Sequence, residues 1–150
     1  MRGQTVLLEH VLLTSGTFLI FVAVVISFAA INQYFVLRRT NDALLMMAEQ
    51  ASVGIVTAYE HGKELNASQE PVVKIYLDFP ADISGRPYDI YYDEQTRTVV
   101  AVCGESSGRA DLLGIPDRTQ IEGKISASSA DAYVSYYRSS NTIVLGVEWR

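Results

Sequence analysis

Residues 11–31 read VLLTSGTFLIFVAVVISFAAI, and this stretch decides the fold of the 150-residue chain. It carries no charge, and the uncharged run extends to Leu37. A helix of 21 residues rises roughly 30 Å, which is the thickness of the hydrocarbon core of a bilayer. Its hydroxyl side chains can donate to carbonyls of the preceding turn and so cost little in lipid; they are Thr14, Ser15, Thr17 and Ser27. The stretch therefore predicts a membrane-spanning helix.

A buried core helix and a cleavable secretory signal are the two alternatives for this stretch. The rest of the chain is too short to enclose a core helix of this length. A secretory signal has a shorter apolar region that ends in small residues at a cleavage site. Here the run leads into Tyr34, Phe35, Arg38 and Arg39, an aromatic and basic pattern typical of the lipid headgroup region. The sequence therefore indicates a retained anchor.

Beyond residue 39 the pattern becomes that of an amphipathic helix. Apolar residues recur there at spacings of three and four, namely Ala43, Leu44, Met47, Ala51, Ile55, Ala58 and Tyr59. No proline interrupts residues 5–69, so we expect one helix, or two nearly collinear helices, ending near residue 64. Gly62 is the predicted C-cap, and residues 66–71 are a predicted linker. The outer half of the helix is expected to cover one face of a sheet.

From residue 70 onward apolar and polar residues alternate, which is typical of β-strands. Strands are predicted at 72–79, 88–92, 97–103, 121–126, 132–137 and 142–149, with hairpins across 93–96 and 138–141. The Gly- and Ser-rich residues 104–109 are a predicted loop. The fold class is thus predicted as α+β, with a long N-terminal helix packed on a small antiparallel sheet.

The charge balance limits the possible partners. The net charge is −5, and residues 40–150 contain 9 basic and 16 acidic side chains. An acidic domain argues against nucleic acid as a partner, because affinity for phosphate comes from basic residues. Cys103 is the single cysteine and cannot form a disulfide within the chain. We expect it to be buried as a small apolar residue in a strand.

The sequence predicts neither an enzyme nor a cofactor or metal site. His10 and His61 have no second ligand at metal-binding spacing. A Ser-centred elbow, a Gly-rich phosphate loop and a CxxC motif are all missing. Four acidic residues lack the spacing of a calcium loop: Asp82, Asp89, Asp93 and Glu94. The tyrosines of 88–92 and 133–137 fit strand faces or a surface for a partner.

The N-terminus resembles the class III signal peptide of archaeal type IV pilin-like proteins. The residues that carry the resemblance are Arg2-Gly3-Gln4-Thr5, then Glu9, then the uninterrupted apolar helix. In that family a prepilin peptidase cleaves after a basic residue and glycine, and the hydrophobic helix is kept. The resemblance implies that Arg2 and Gly3 end a leader and that Gln4 becomes the N-terminus.

The same resemblance gives Glu9 a role in assembly. A lone carboxylate is costly in lipid, and in the family it offsets the N-terminal amine of a neighbouring subunit in the filament core. This sequence departs from the family in two respects: Glu9 would be sixth rather than fifth in the processed chain, and the leader is only three residues long.

The C-terminal part also looks like the β-domain of small archaeal pilin-like secreted proteins. The matching residues are Leu77-Asp78-Phe79-Pro80, Ile83-Ser84-Gly85, residues 88–90, Ile121-Glu122-Gly123-Lys124 and a last hydrophobic strand. The resemblance implies a pilin-like fold whose helix starts in the cytoplasm and whose β-domain lies outside.

The membrane orientation is also addressed by the charges and by a sequon. Arg38 and Arg39 follow the apolar segment, whereas Arg2 and Glu9 precede it. Because basic residues favour the cytoplasmic side, this charge balance slightly favours a cytoplasmic C-terminal domain. Asn66-Ala67-Ser68 is a glycosylation sequon, which has meaning only outside the cytoplasm. Together with the resemblance, possible glycosylation of Asn66 favours an extracytoplasmic domain.

The predicted organisation has four parts: a leader at 1–3, a transmembrane or filament-core helix at 4–37, an amphipathic extension and linker at 38–69, and an extracytoplasmic antiparallel β-domain at 70–150. The predicted function is a structural subunit or minor component of an archaeal type IV pilus-like filament at the cell surface. Its expected partners are membrane lipid, copies of itself or other pilin-like subunits, and a prepilin peptidase. The alternative is a single-pass anchored domain that binds a cell-envelope or motor partner without polymerising.

Overall fold

A computed structural model of the chain describes residues 2–65, 69–127 and 130–149, without the side chains of residues 2–8. Within that part the chain forms a helix and seven strands: α1 (Arg2–Glu64), β1 (Val73–Leu77), β2 (Asp89–Asp93), β3 (Thr98–Cys103), β4 (Ser106–Asp111), β5 (Gln120–Ser126), β6 (Asp131–Tyr137) and β7 (Thr142–Glu148). The chain divides into two compact units, Met1–Arg38 and Arg39–Arg150. The first unit is helical throughout its described residues.

In the second unit α1 packs on the sheet through the face that the sequence predicted. Leu44, Ala48, Ala51, Ile55 and Ala58 are fully buried there and belong to one core with the inner side chains of the sheet. Burial of a leucine or isoleucine side chain contributes about 1.5–3 kcal/mol. The predicted α+β class and the amphipathic outer helix are therefore confirmed.

The seven-stranded sheet has the order β1-β6-β7-β5-β2-β3-β4. Both predicted hairpins are present, β2 with β3 and β6 with β7. The prediction of an antiparallel sheet is wrong in one place, because β5 and β7 pair in parallel, with Ile121 opposite Ile143. The alternation of apolar and polar residues shows only which face of a strand is buried. Parallel and antiparallel strands give the same alternation, so it does not predict the direction of pairing. The sheet is therefore mixed.

A glycine lies at the parallel junction. Gly123 has a φ of +84°, and a Cβ there would lie 3.2 Å from the carbonyl carbon of Leu145 and closer still to its oxygen. Glycine both adopts this left-handed conformation and permits the close approach of the neighbouring backbone. The junction between β5 and β7 thus depends on a residue without a side chain.

β4 is the strand that the sequence did not predict, since residues 104–109 were expected to form a loop. Its inward positions are small: Ser106 and Gly108 are buried, and Ala110 packs against the core. A Cβ at Gly108 would lie 2.6 Å from Leu45 Cα and closer still to the Leu44–Leu45 peptide. The helix backbone therefore approaches β4 so closely that no large apolar residue fits, and the usual strand signal is lost.

The predicted C-cap at Gly62 is also wrong, because α1 continues to Glu64. Gly62 lies inside the helix, where a Cβ would be 2.9 Å from Cε1 of Tyr136. The Tyr136 ring in turn contacts the Tyr59 ring edge to face, with centroids 5.6 Å apart. This glycine makes room for an aromatic ring instead of ending the helix.

Candidate functional site

The most extensive exposed feature is the apolar surface of α1 in the first unit. Phe18, Phe21 and Phe28 leave 64%, 64% and 73% of their surface open. The helix is long and apolar enough to cross a membrane, with a mean hydropathy of 2.4 in its most apolar window and none of that window buried. This surface is compatible with single-pass membrane anchoring.

Three of the four hydroxyl side chains that the sequence predicts to bond within this helix do so. Thr14 Oγ1 donates to the carbonyl of His10, Thr17 Oγ1 to that of Leu13, and Ser27 Oγ to that of Ala23, each at 2.8 Å. The sequence predicted this back-bonding. Because these hydroxyls have acceptors inside the helix, they add little to its cost in an apolar environment.

The residues predicted for processing and assembly lie at the start of the same helix. Glu9 and His10 are exposed, and no ion pair joins Glu9 to another described residue. The backbone of Arg2, Gly3 and Gln4 is helical, but their side chains lie outside the described part of the chain. The predicted glycosylation residue, Asn66, is outside the described residues altogether. Towards the other end of the unit, Tyr34 and Phe35 contact edge to face at 6.1 Å between centroids.

In the second unit a polar and aromatic cluster lies on the face of the sheet that α1 does not cover. We call Lys74, Tyr76, Tyr133 and Glu148 the outer cluster. Lys74 forms an ion pair with Glu148, and its Nζ lies 4.2 Å from the centroid of the Tyr133 ring. The Tyr76 hydroxyl donates to the same carboxylate at 3.1 Å. The hydrogen bond that Lys74 donates to the Glu148 carboxylate raises the pKa of Lys74.

The outer cluster joins three strands and was not predicted from the sequence. Tyr76 is directly opposite Tyr133 in the β1–β6 pair, and Tyr133 is opposite Gly146 in the β6–β7 pair. A Cβ at Gly146 would lie 2.7 Å from the Tyr133 hydroxyl, so the glycine leaves room for that ring on the sheet. Only the register, which a single sequence does not give, brings these four side chains together.

Three of the four acidic residues that lack the spacing of a calcium loop accept hydrogen bonds from nearby groups. Asp82 accepts from the amide of Gly85 at 2.8 Å, and Asp89 accepts from the hydroxyl of Ser126 at 2.6 Å. Asp93 accepts from the Thr96 hydroxyl at 2.8 Å, and this bond is the main reason that its pKa is lowered. In the described part of the chain, no group of three or more His, Cys, Asp or Glu residues could hold a metal ion.

One open cleft of about 380 Å³ lies beside the β2–β3 hairpin. Arg97 in its wall forms an ion pair with Asp117 and donates to the carbonyl of Ile115 at 3.0 Å. The guanidinium is thus already used to hold the loop between β4 and β5.

Cys103 is buried and free, as predicted.

No protein-family model matches the chain, and neither the curated proteins nor the solved structures provide a match. The structure itself defines the class: an α+β protein with one long N-terminal helix, apolar and exposed in its first part, and a helix face packed on a seven-stranded mixed sheet. The resemblance to pilin-like proteins stays a prediction from the sequence.

Proposed function

We propose that the chain is a structural subunit, or a minor component, of an archaeal type IV pilus-like filament that assembles through α1. The observation that supports this is the apolar surface of residues 11–37, which is exposed in the single chain. A continuous apolar surface of this size requires lipid or other helices around it. The β-domain is the part suited to water.

The N-terminal residues supply the processing and assembly steps of this proposal. A prepilin peptidase removes the leader that ends in Arg2 and Gly3, so that Gln4 becomes the N-terminus. In the membrane the chain is single-pass with its β-domain outside the cytoplasm. In the filament, the Glu9 carboxylate offsets the Gln4 amine of a neighbouring subunit, because an unpaired charge among apolar helices is costly.

The substitution Glu9→Leu tests this function. The variant should still insert into the membrane, since the apolar segment is lengthened, but the fraction of protein in filaments should fall at least about tenfold, as expected when a buried charge loses its partner. Sedimentation and electron microscopy of sheared surface material measure this fraction. His10→Leu is the matched control, because it makes the adjacent exposed position apolar and keeps the carboxylate. Normal filaments from Glu9→Leu would contradict the role of Glu9.

The second candidate function is an anchored domain that binds a cell-envelope or motor partner without polymerising. The outer cluster favours it, because tyrosines are enriched in binding surfaces, and Tyr76 and Tyr133 lie side by side on the sheet face that α1 does not cover. N-terminal sequencing of the membrane and shed fractions distinguishes the two candidates. A mature N-terminus at Gln4 supports the filament subunit, whereas an intact Met1 or Arg2 terminus supports the plain anchor.

A further inference from the structure

In the second unit, the exposed side of α1 carries both charged and apolar residues on one line. The residues of this line are Arg39, Asp42, Met46, Glu49 and Val53, which follow one another at spacings of three and four. Residues with this spacing form a seam along a helix. All five are exposed, and Met46 and Val53 leave 68% and 64% of their surface open. Two large apolar side chains that flank a carboxylate on one seam suit packing against another helix.

The charges on this seam are separated by sign. Arg39 lies at its start, and the carboxylates of Asp42 and Glu49 lie further along. No ion pair within the described part of the chain involves any of the three. The seam therefore presents a basic end and an acidic end whose charges are available to a partner.

The charge pattern also selects the register of a parallel second copy. Without an offset, Asp42 and Glu49 would face the same carboxylates of the neighbour, and like charges that face each other are destabilising. An offset of three residues would pair Arg39 with Asp42 but would place Met46 beside Glu49. An offset of ten residues places Arg39 of one copy beside Glu49 of the next and also places the apolar Ala43 beside Val53. Ten residues of α-helix correspond to a shift of about 15 Å along the axis. Charged residues within a helix–helix seam are known to fix register in this way.

We propose that Met46, Glu49 and Val53 form the docking site for the Arg39 turn of a second copy of this chain, shifted by about 15 Å. The inference rests on the proposed filament function and adds a second contact between subunits. The copy docked here is a different neighbour from the one whose Gln4 amine meets Glu9, because that pairing corresponds to an offset of five residues. The two sides of this contact are different surfaces of the same chain. Such a heterologous interface leaves one free surface at each end, so it repeats without closing, as a filament requires.

Charge reversal in the full-length chain tests the docking site. Glu49→Arg places two arginines at the contact, so the concentration needed for assembly should rise at least about tenfold. The double variant Arg39→Glu/Glu49→Arg restores opposite charges and should return assembly to the wild-type level. Glu60→Arg is the matched control, since it makes the same charge change at an exposed acid of α1 outside the proposed contact. Sedimentation and electron microscopy measure the assembled fraction.

Cross-linking identifies the neighbour directly. Copies with Arg39→Cys are mixed with copies carrying Glu49→Cys and treated with a short bismaleimide, and a dimer of this chain should form only in the mixture. The native Cys103 is buried, so the wild-type chain gives the background. If the wild-type chain does not assemble at all, the filament function fails. If it assembles but Glu49→Arg assembles equally well, or the double variant does not recover, the docking site is wrong and the filament function stands. A cross-link to a different protein alone would also overturn the second copy as occupant.

Discussion

At the scale of the residue, Tyr88 shows how one buried polar group links a loop to the core. Its ring is buried among apolar side chains, and its hydroxyl donates to the carbonyl of Pro80 at 2.5 Å. Burial raises the pKa of Tyr88 to about 12, from an ordinary value of 10.0. The neutral phenol therefore belongs to the folded state, and the phenolate is favoured by unfolding.

This pKa predicts a loss of stability at high pH. Below pH 10.0, the ordinary pKa of the unfolded chain, Tyr88 is neutral in both states and its ionisation does not affect stability. As the pH rises from 10.0 towards about 12, the unfolded chain loses this proton more readily than the folded one, so the free energy of unfolding falls. Tyr88→Phe should cost about 1 kcal/mol at neutral pH, because the bond to Pro80 is lost, yet its stability should decline less steeply above pH 10.0. Urea unfolding across this range checks the slope, with Tyr91→Phe, an exposed tyrosine of β2, as the control. Equal slopes for the wild type and Tyr88→Phe would contradict this account of the pKa.

At the scale of the element, the sequence identified those segments that carry a regular apolar pattern. The amphipathic half of α1 and six of the seven strands follow such a pattern, because each buries large apolar side chains on one face. β4 has no such pattern, since its inward residues are small where the helix backbone lies against it. The parallel pairing of β5 with β7 and the register that assembles the outer cluster are not predictable either, because they depend on contacts between distant segments.

The close approach of β4 to α1 can be tested at Gly108. Gly108→Ala adds a methyl group that would lie 2.6 Å from Leu45 Cα, and neither backbone can yield without moving its whole element. We expect a loss of about 1–3 kcal/mol, the usual range for overpacking of a core. Ser107→Ala, at an exposed position of the same strand, should change stability by less than about 0.5 kcal/mol. Chemical denaturation of the two variants compares them, and an unchanged Gly108→Ala would mean that the helix does not contact β4 so closely.

At the scale of the whole molecule, the chain combines parts that suit two different solvents. The first unit is an apolar helix without a core of its own, whereas the second has a continuous core between α1 and the sheet. The first suits hydrocarbon or a bundle of like helices, and the second, with its excess of acidic side chains, suits water. This division was predictable, because the apolar run and the alternating pattern differ along the whole length of the sequence.

The division predicts that the second unit is soluble without the first. A fragment that begins at Thr40 keeps the helix face that covers the sheet, so its core should remain closed and its apolar membrane segment is gone. It also lacks Arg39, so the proposed contact between copies cannot form. We therefore expect a folded monomer in buffer without detergent, as measured by light scattering and by cooperative unfolding. The full-length chain in the same buffer is the control. It should form large particles, because its exposed apolar helix is not covered by lipid or by the helices of an ordered filament and therefore associates non-specifically. Large aggregates of the fragment would show that the second unit needs the first to stay in solution, and the two-solvent division would then be wrong.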